Sequence, residues 1–190
     1  MGKSGKILMR TLGAVLLLMG LFYFVVGPIM RSQTKKHSPE QTITYTQGKL
    51  HVNVFYCSPG KKGREIFGSL VPYGEVWRTG ANEATTFETD KDLTINGQTL
   101  PAGEYSLWTI PNEDKWTVIF NTKSYGWGVS FFNQKASRNQ KYDALVTEVP
   151  VSKSLTSMEQ FTINFAEDGP TTLVMILAWD DVVVPVKMNH

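Results

Sequence analysis

Arg78 and Glu83 stand five positions apart in the run Gly68-Ser69-Leu70-Val71-Pro72-Tyr73-Gly74-Glu75-Val76-Trp77-Arg78-Thr79-Gly80-Ala81-Asn82-Glu83. A guanidinium and a carboxylate so placed offer two kinds of chemistry. Paired with each other they make a strong, directional, bidentate contact. Facing a cavity, they supply a fixed cation and a titratable acid or base. In an extended strand successive side chains alternate faces, so an odd spacing sets the two apart. A turn or bulge at Gly80 removes that constraint. Two readings follow. In one, Arg78 and Glu83 are a buried clamp that fixes the bend, with Asn82 capping backbone groups. In the other they line a polar pocket with Tyr73 and Trp77 as aromatic walls and Arg64 as a second cation. Aromatic faces with a few fixed polar groups are the usual makeup of a ligand site, and this set suits a small anionic or sugar-like ligand. The candidate ligand-binding residues are Arg64, Tyr73, Trp77, Arg78, Asn82 and Glu83, and no catalytic residue is identified.

Other sites fail on residue supply. The histidines are His37, His51 and His190, and none forms a pair with metal-ligand spacing. No metal or cofactor is expected. A G-x-S-x-G elbow is absent, and Gly60-Lys61-Lys62-Gly63 lacks the phosphate-loop pattern and the helix that would follow it. Cys57 is the only cysteine, so no intramolecular disulfide forms. It reads as a small, partly buried hydrophobe, although Lys61, Lys62 and Arg64 nearby are the setting a reactive thiol needs.

The elements that must position these residues read as strands. Leu50, Val52, Val54 and Tyr56 alternate with His51, Asn53, Phe55 and Cys57. Leu93 and Ile95 lead into Asn96-Gly97, a strong hairpin signal. Tyr105, Leu107 and Thr109 follow, then a turn at Pro111-Asn112-Glu113-Asp114, then the apolar face of Trp116, Val118 and Phe120. Four further strands are expected over 144–151, 161–165, 173–179 and 182–186, the last two broken at Asp180-Asp181. Short strands between turn signals predict an all-β, antiparallel sandwich or barrel-like domain. Trp116 and Trp179 fit the core. Trp108, on the face opposite Tyr105 and Leu107, and Trp127 are the candidates for surface aromatics. Residues 122–143 read as a long loop, with or without a short strand.

The first 36 residues differ from the rest: they hold Lys3, Lys6, Arg10, Arg31, Lys35 and Lys36 and no acid. Thr11 to Met30 is an uncharged stretch of 20 residues, and about 20 residues span a bilayer core. The segment Val26-Gly27-Pro28-Ile29-Met30 is a poor cleavage site. Residues 1–30 are therefore expected to be an uncleaved signal anchor that meets the membrane through 11–30. Residues 31–42 would be a polar tether and 43–190 the all-β domain. Three basic residues flank the apolar stretch on each side. Exporting the domain to the extracytoplasmic or periplasmic side is the simpler orientation. Beyond residue 36 the chain has 13 Lys+Arg against 17 Asp+Glu, a net charge of −4. Nucleic-acid binding needs a basic footprint and is excluded.

Tyr56-Cys57-Ser58-Pro59, Lys62-Gly63-Arg64-Glu65-Ile66-Phe67-Gly68 and the run from Leu70 to Thr85 resemble the bacterial domain-of-unknown-function family 2911. Asn96-Gly97, the run from Leu100 to Pro111 and Trp116-Thr117-Val118-Ile119-Phe120-Asn121 resemble the same family. The likeness covers roughly residues 45–187. It implies export, since members typically carry an export signal, and implies no activity. Cys57 stands where the family commonly has serine, which weakens any shared catalytic thiol. The leading expectation is a cell-envelope ligand-binding or structural module. The alternatives are an envelope hydrolase that uses Glu83 as acid or base tuned by Arg78, and a protein-partner-binding module that uses a sheet edge or the aromatic loop from Tyr125 to Phe132.

Overall fold

The computed structural model describes residues 2–190, without the side chains of Lys3, Lys6 and Leu8. The Lys3 and Lys6 charges in the flank count lie outside the described residues. The chain forms two compact units, Met1–His37 and Ser38–His190.

The first unit is helical. Helix α1 (Lys3–Leu21) passes through one wider π turn at Phe22–Val26 into α2 (Gly27–His37). Pro28 has no N–H, and its ring excludes the carbonyl four residues back. The Gly27 N–H instead reaches Phe22 O, and the widened turn carries the helix past the proline. From Met9 to His37 the helix is 29 residues, apolar and long enough to cross a membrane, with none of it buried. A signal sequence meets the same requirements. The segment expected as a polar tether, 31–42, is helical to His37 and joins the first strand at Glu40.

The second unit has ten strands. They are β1 (Glu40–Gln47), β2 (Leu50–Cys57), β3 (Thr86–Thr89), β4 (Leu93–Ile95), β5 (Gln98–Leu100), β6 (Gly103–Ile110), β7 (Lys115–Asn121), β8 (Asp143–Pro150), β9 (Ser152–Glu167) and β10 (Thr172–Asn189). One sheet runs β1-β2-β3-β6-β7-β8 and the other β5-β4-β10-β9, with antiparallel pairing throughout. The sheets face each other as a sandwich, not a closed barrel. Leu50, Val52, Val54 and Tyr56 of β2 and Trp116, Val118 and Phe120 of β7 point inward, each at most 3 % exposed. They meet Phe161 and Ile163 of β9 and Met175, Leu177 and Val184 of β10. Burying each such side chain contributes about 1.5–3 kcal/mol. Asn96 and Gly97 turn the β4–β5 hairpin with φ of 46° and 77°, as a two-residue type I′ turn requires.

Residues 173–179 and 182–186 are one strand, not two. Asp180 (φ 53°) marks a bulge where the β9 register shifts on both sides, so the polar pair bends β10 without ending it. Lys61 Nζ and Ser157 Oγ (2.6 Å) donate to Asp180 Oδ1 and hold its carboxyl below the ordinary 3.8. A lowered folded-state pKa stabilises the fold above the unfolded value, and the contribution fades as pH falls through the folded one. Asp180→Asn is therefore expected to lower the thermal midpoint by about 1–3 °C near neutral pH, as a part-exposed pair allows. The gap to wild type should close as pH falls below the ordinary carboxylate range, which melts across a pH series will show.

Candidate functional site

Between β2 and β3 the chain leaves the sheet over residues 58–85 and is pinned back at two points. Gly60 pairs with Gln160, and Trp77 pairs with Thr109 through hydrogen bonds of 2.7 and 3.0 Å. The chain then bends sharply: Thr79 has φ 55° and Asn82 has φ 56°. A side chain at Gly80 would place its Cβ 2.9 Å from Cys57 O and 3.1 Å from Thr85 Oγ1, so only glycine lets the bend approach β2 this closely. Thr79 is β-branched, fully buried and left-handed, a conformation costing about 1–3 kcal/mol that neighbours must hold in place. Its hydroxyl shares a 3.2 Å hydrogen bond with that of Thr109, and its carbonyl accepts from Thr85 Oγ1 at 2.7 Å. Trp77 Nε1 donates to Gly80 O at 3.0 Å.

A cavity of about 720 Å³ opens beside this bend. Its apolar wall includes Val71, Val76, Trp77 and Trp179, while Arg64, Arg78 and Lys135 bring three cations against the single carboxylate of Glu75. Trp77 stacks on Trp179 with centroids 6.0 Å apart and planes at 18°. Arg78 Nη1 donates to Trp127 O at 2.8 Å, and the guanidinium lies 6.0 Å from the Trp127 ring centroid. Burial lowers the Arg78 pKa, partly offset by Cys57 and Glu83. Arg64 uses Nε and Nη2 to brace Lys61 O and Gly60 O at 3.0 and 2.6 Å, two of its five donors.

The structure thus brings Arg64, Trp77 and Arg78 to one cavity. Tyr73, Asn82 and Glu83 lie outside its lining. The Tyr73 ring packs over Gly68, Asn82 Nδ2 donates to Ser38 O at 3.3 Å, and Glu83 Oε2 accepts from Cys57 Sγ at 3.3 Å. Lys135 and Trp179 were not among the expected site residues; both come from distant segments with no local pattern linking them to the bend. Among the described residues, no group of three or more His, Cys, Asp or Glu side chains is close enough to hold a metal ion.

Cys57 is 0 % exposed. Burial, then the contact with Glu83, pushes its thiol from 9.0 up to about 11. The thiolate is the reactive form, so a two-unit rise makes it about a hundredfold scarcer. Iodoacetamide should label the native chain at least about 100-fold more slowly than the unfolded chain; rates within about tenfold would contradict the buried, protonated thiol.

The family model described as a protein of unknown function (DUF2911) matches residues 38–188, and the chain belongs to that family. No curated protein and no solved structure matches the chain.

Proposed function

We propose that the β-domain is a binding module for a small anionic ligand with an aromatic or apolar portion, exported and held at a membrane by its N-terminal helix. The observation that carries this reading is the charge of the cavity. Three cations meet one carboxylate there, in a unit whose overall charge is −4 beyond residue 36. Trp77, with Trp179 stacked behind it, offers apolar surface to the apolar portion, and Arg78 offers a desolvated cation whose hydrogen bonds to an anion strengthen away from bulk water. The strained turn at Thr79 supports the same reading, since such backbone is kept where surroundings over-determine it and often where function needs it. Tyr73, Asn82 and Glu83 act behind the wall, by shaping the loop and the bend. The helical run that meets the length of a membrane span and the excess of acid in the body both fit an exported, anchored domain.

The test uses phenyl phosphate as probe, followed by tryptophan fluorescence. Saturable binding is expected in the wild type. Arg78→Gln should weaken it by about 10–100-fold, the worth of a hydrogen bond to a charged group. Ala81→Phe, which adds a phenyl ring to the cavity lining, should abolish it. The absence of saturable wild-type binding, or binding indifferent to both substitutions, would sink the proposal.

A further inference from the structure

The connection from β7 to β8, residues 122–142, contains Lys123, Lys135, Arg138 and Lys141 and no aspartate or glutamate. It also carries Tyr125, Trp127, Phe131, Phe132 and Tyr142. Without its four cations, the 13 basic residues beyond residue 36 fall to nine against 17 acids. The connection is therefore a basic island of +4 on a body of −8. Asp143 neutralises Arg138, leaving Lys123, Lys135 and Lys141 as exposed cations. Lys123 Nζ lies 5.2 and 5.6 Å from the Tyr125 and Tyr142 ring centroids, and Lys141 Nζ lies 5.0 Å from that of Tyr142.

The segment is a built finger. Val129 pairs with Ala136, Ser130 N–H donates to Lys135 O at 2.8 Å, and Ser137 N–H donates to Gly128 O at 2.9 Å. At the tip, Phe131 is 88 % and Phe132 96 % exposed, their rings edge-on at 5.9 Å. Adjacent phenyl rings left in water, ahead of lysines and amphipathic tyrosines, have the makeup of a surface that lies in a bilayer interface. Phenyl groups enter the headgroup–acyl boundary, lysines meet lipid phosphates, and tyrosine and tryptophan settle at headgroup depth. An acidic protein groove would also meet the charge, but the grading from bare phenyl rings at the tip to tyrosines and lysines at the base matches the depth order of a bilayer interface.

We infer that this finger is a peripheral contact for an anionic lipid surface, with Phe131 and Phe132 entering the bilayer interface and Lys123 and Lys141 facing lipid phosphates. An N-terminal helix in the same bilayer makes this second engagement intramolecular, so a weak contact suffices. Lys135 is left to the cavity it lines, so the inference does not depend on what the cavity binds.

The experiment uses the full chain in vesicles of phosphatidylcholine with phosphatidylglycerol. An environment-sensitive nitrobenzoxadiazole label is placed at the tip through Asn133→Cys, since Cys57 is fully buried. The expected result is blue-shifted emission, quenched by lipids brominated near the headgroup end of the acyl chain. The same label on Asn112→Cys, in the turn between β6 and β7, should stay in water. Changing Phe131 and Phe132 together to serine should abolish the quenching with the thermal midpoint unchanged, and Lys123→Gln and Lys141→Gln should each lower the engaged-to-free ratio about fivefold. Aqueous emission from the tip label overturns the inference, as does quenching indifferent to the phenylalanine pair. Unquenched emission together with Phe131- and Phe132-dependent capture of an envelope protein would make the finger a protein-docking surface and overturn it too.

Discussion

Trp179→Ala is expected to lower the thermal midpoint of a chain opening at Ser38 by about 6–20 °C. Trp179 is 1 % exposed and joins Trp77, Trp116, Phe67 and Phe161 in a cluster with ring centroids 5.0–6.4 Å apart. These rings come from both sheets and from the excursion between β2 and β3, so the cluster joins three parts of the domain. Removing a buried tryptophan typically costs about 3–5 kcal/mol, and each kcal/mol moves the midpoint of a domain this size by about 2–4 °C. The Trp179 Nε1 bond to Glu159 O, 3.2 Å, is lost as well. Calorimetry of the 38–190 chain is the check, since that unit contains all ten strands. A fall of less than about 3 °C would mean the cluster does not hold the sheets together.

Arg138→Leu is expected to cost nearly as much, about 3 kcal/mol or 6–12 °C, because it leaves a buried carboxylate without its cation. The pair is bidentate: Nε to Oδ1 of Asp143 at 3.1 Å and Nη2 to Oδ2 at 2.8 Å. Its side chains are 6 % and 11 % exposed. Asn121 Nδ2 adds a third donor to Asp143 at 2.7 Å. Replacing both partners by leucine should recover most of the loss, because a buried ion pair and an apolar pair of similar volume are close in free energy. A double variant as unstable as the single one would assign the loss to the backbone of the finger and not to the stranded charge.

Much of the sandwich was legible because its core strands alternate cleanly. Leu50 to Tyr56 and Trp116 to Phe120 each present one apolar face, and Asn96-Gly97 has the left-handed torsions its hairpin demands. Asp180-Asp181 resembled a break because paired acids usually end strands; Lys61, Ser157 and Lys153 bind them and the strand continues through a bulge. Thr86–Thr89 is too short and polar to show as a strand, yet it pairs on both edges. Trp108 lies on the outer face of its sheet but is fully buried, because Ala84, Ile119 and Tyr125 cover it. A cover supplied by a loop without periodicity leaves no trace in β6 itself. The bend was legible for the same local reasons as the hairpin: a glycine and an asparagine stand where the chain needs unusual torsions. The cavity was only half legible. Trp77 and Arg78 lie in the bend, but Lys135 and Trp179 reach it through tertiary folding alone.

On the proposed function the Arg78 guanidinium faces a small anion. Nitrogen-15 NMR of arginine Nε–H groups tests it most directly, because a chain opening at Ser38 has only Arg64, Arg78 and Arg138. Titration with phenyl phosphate should move the Arg78 resonance saturably, with Arg64 following to a smaller extent. Arg138, held by Asp143, should stay fixed. An Arg78 signal that does not move while phenyl phosphate is raised, or that moves only in step with Arg138, would contradict the account.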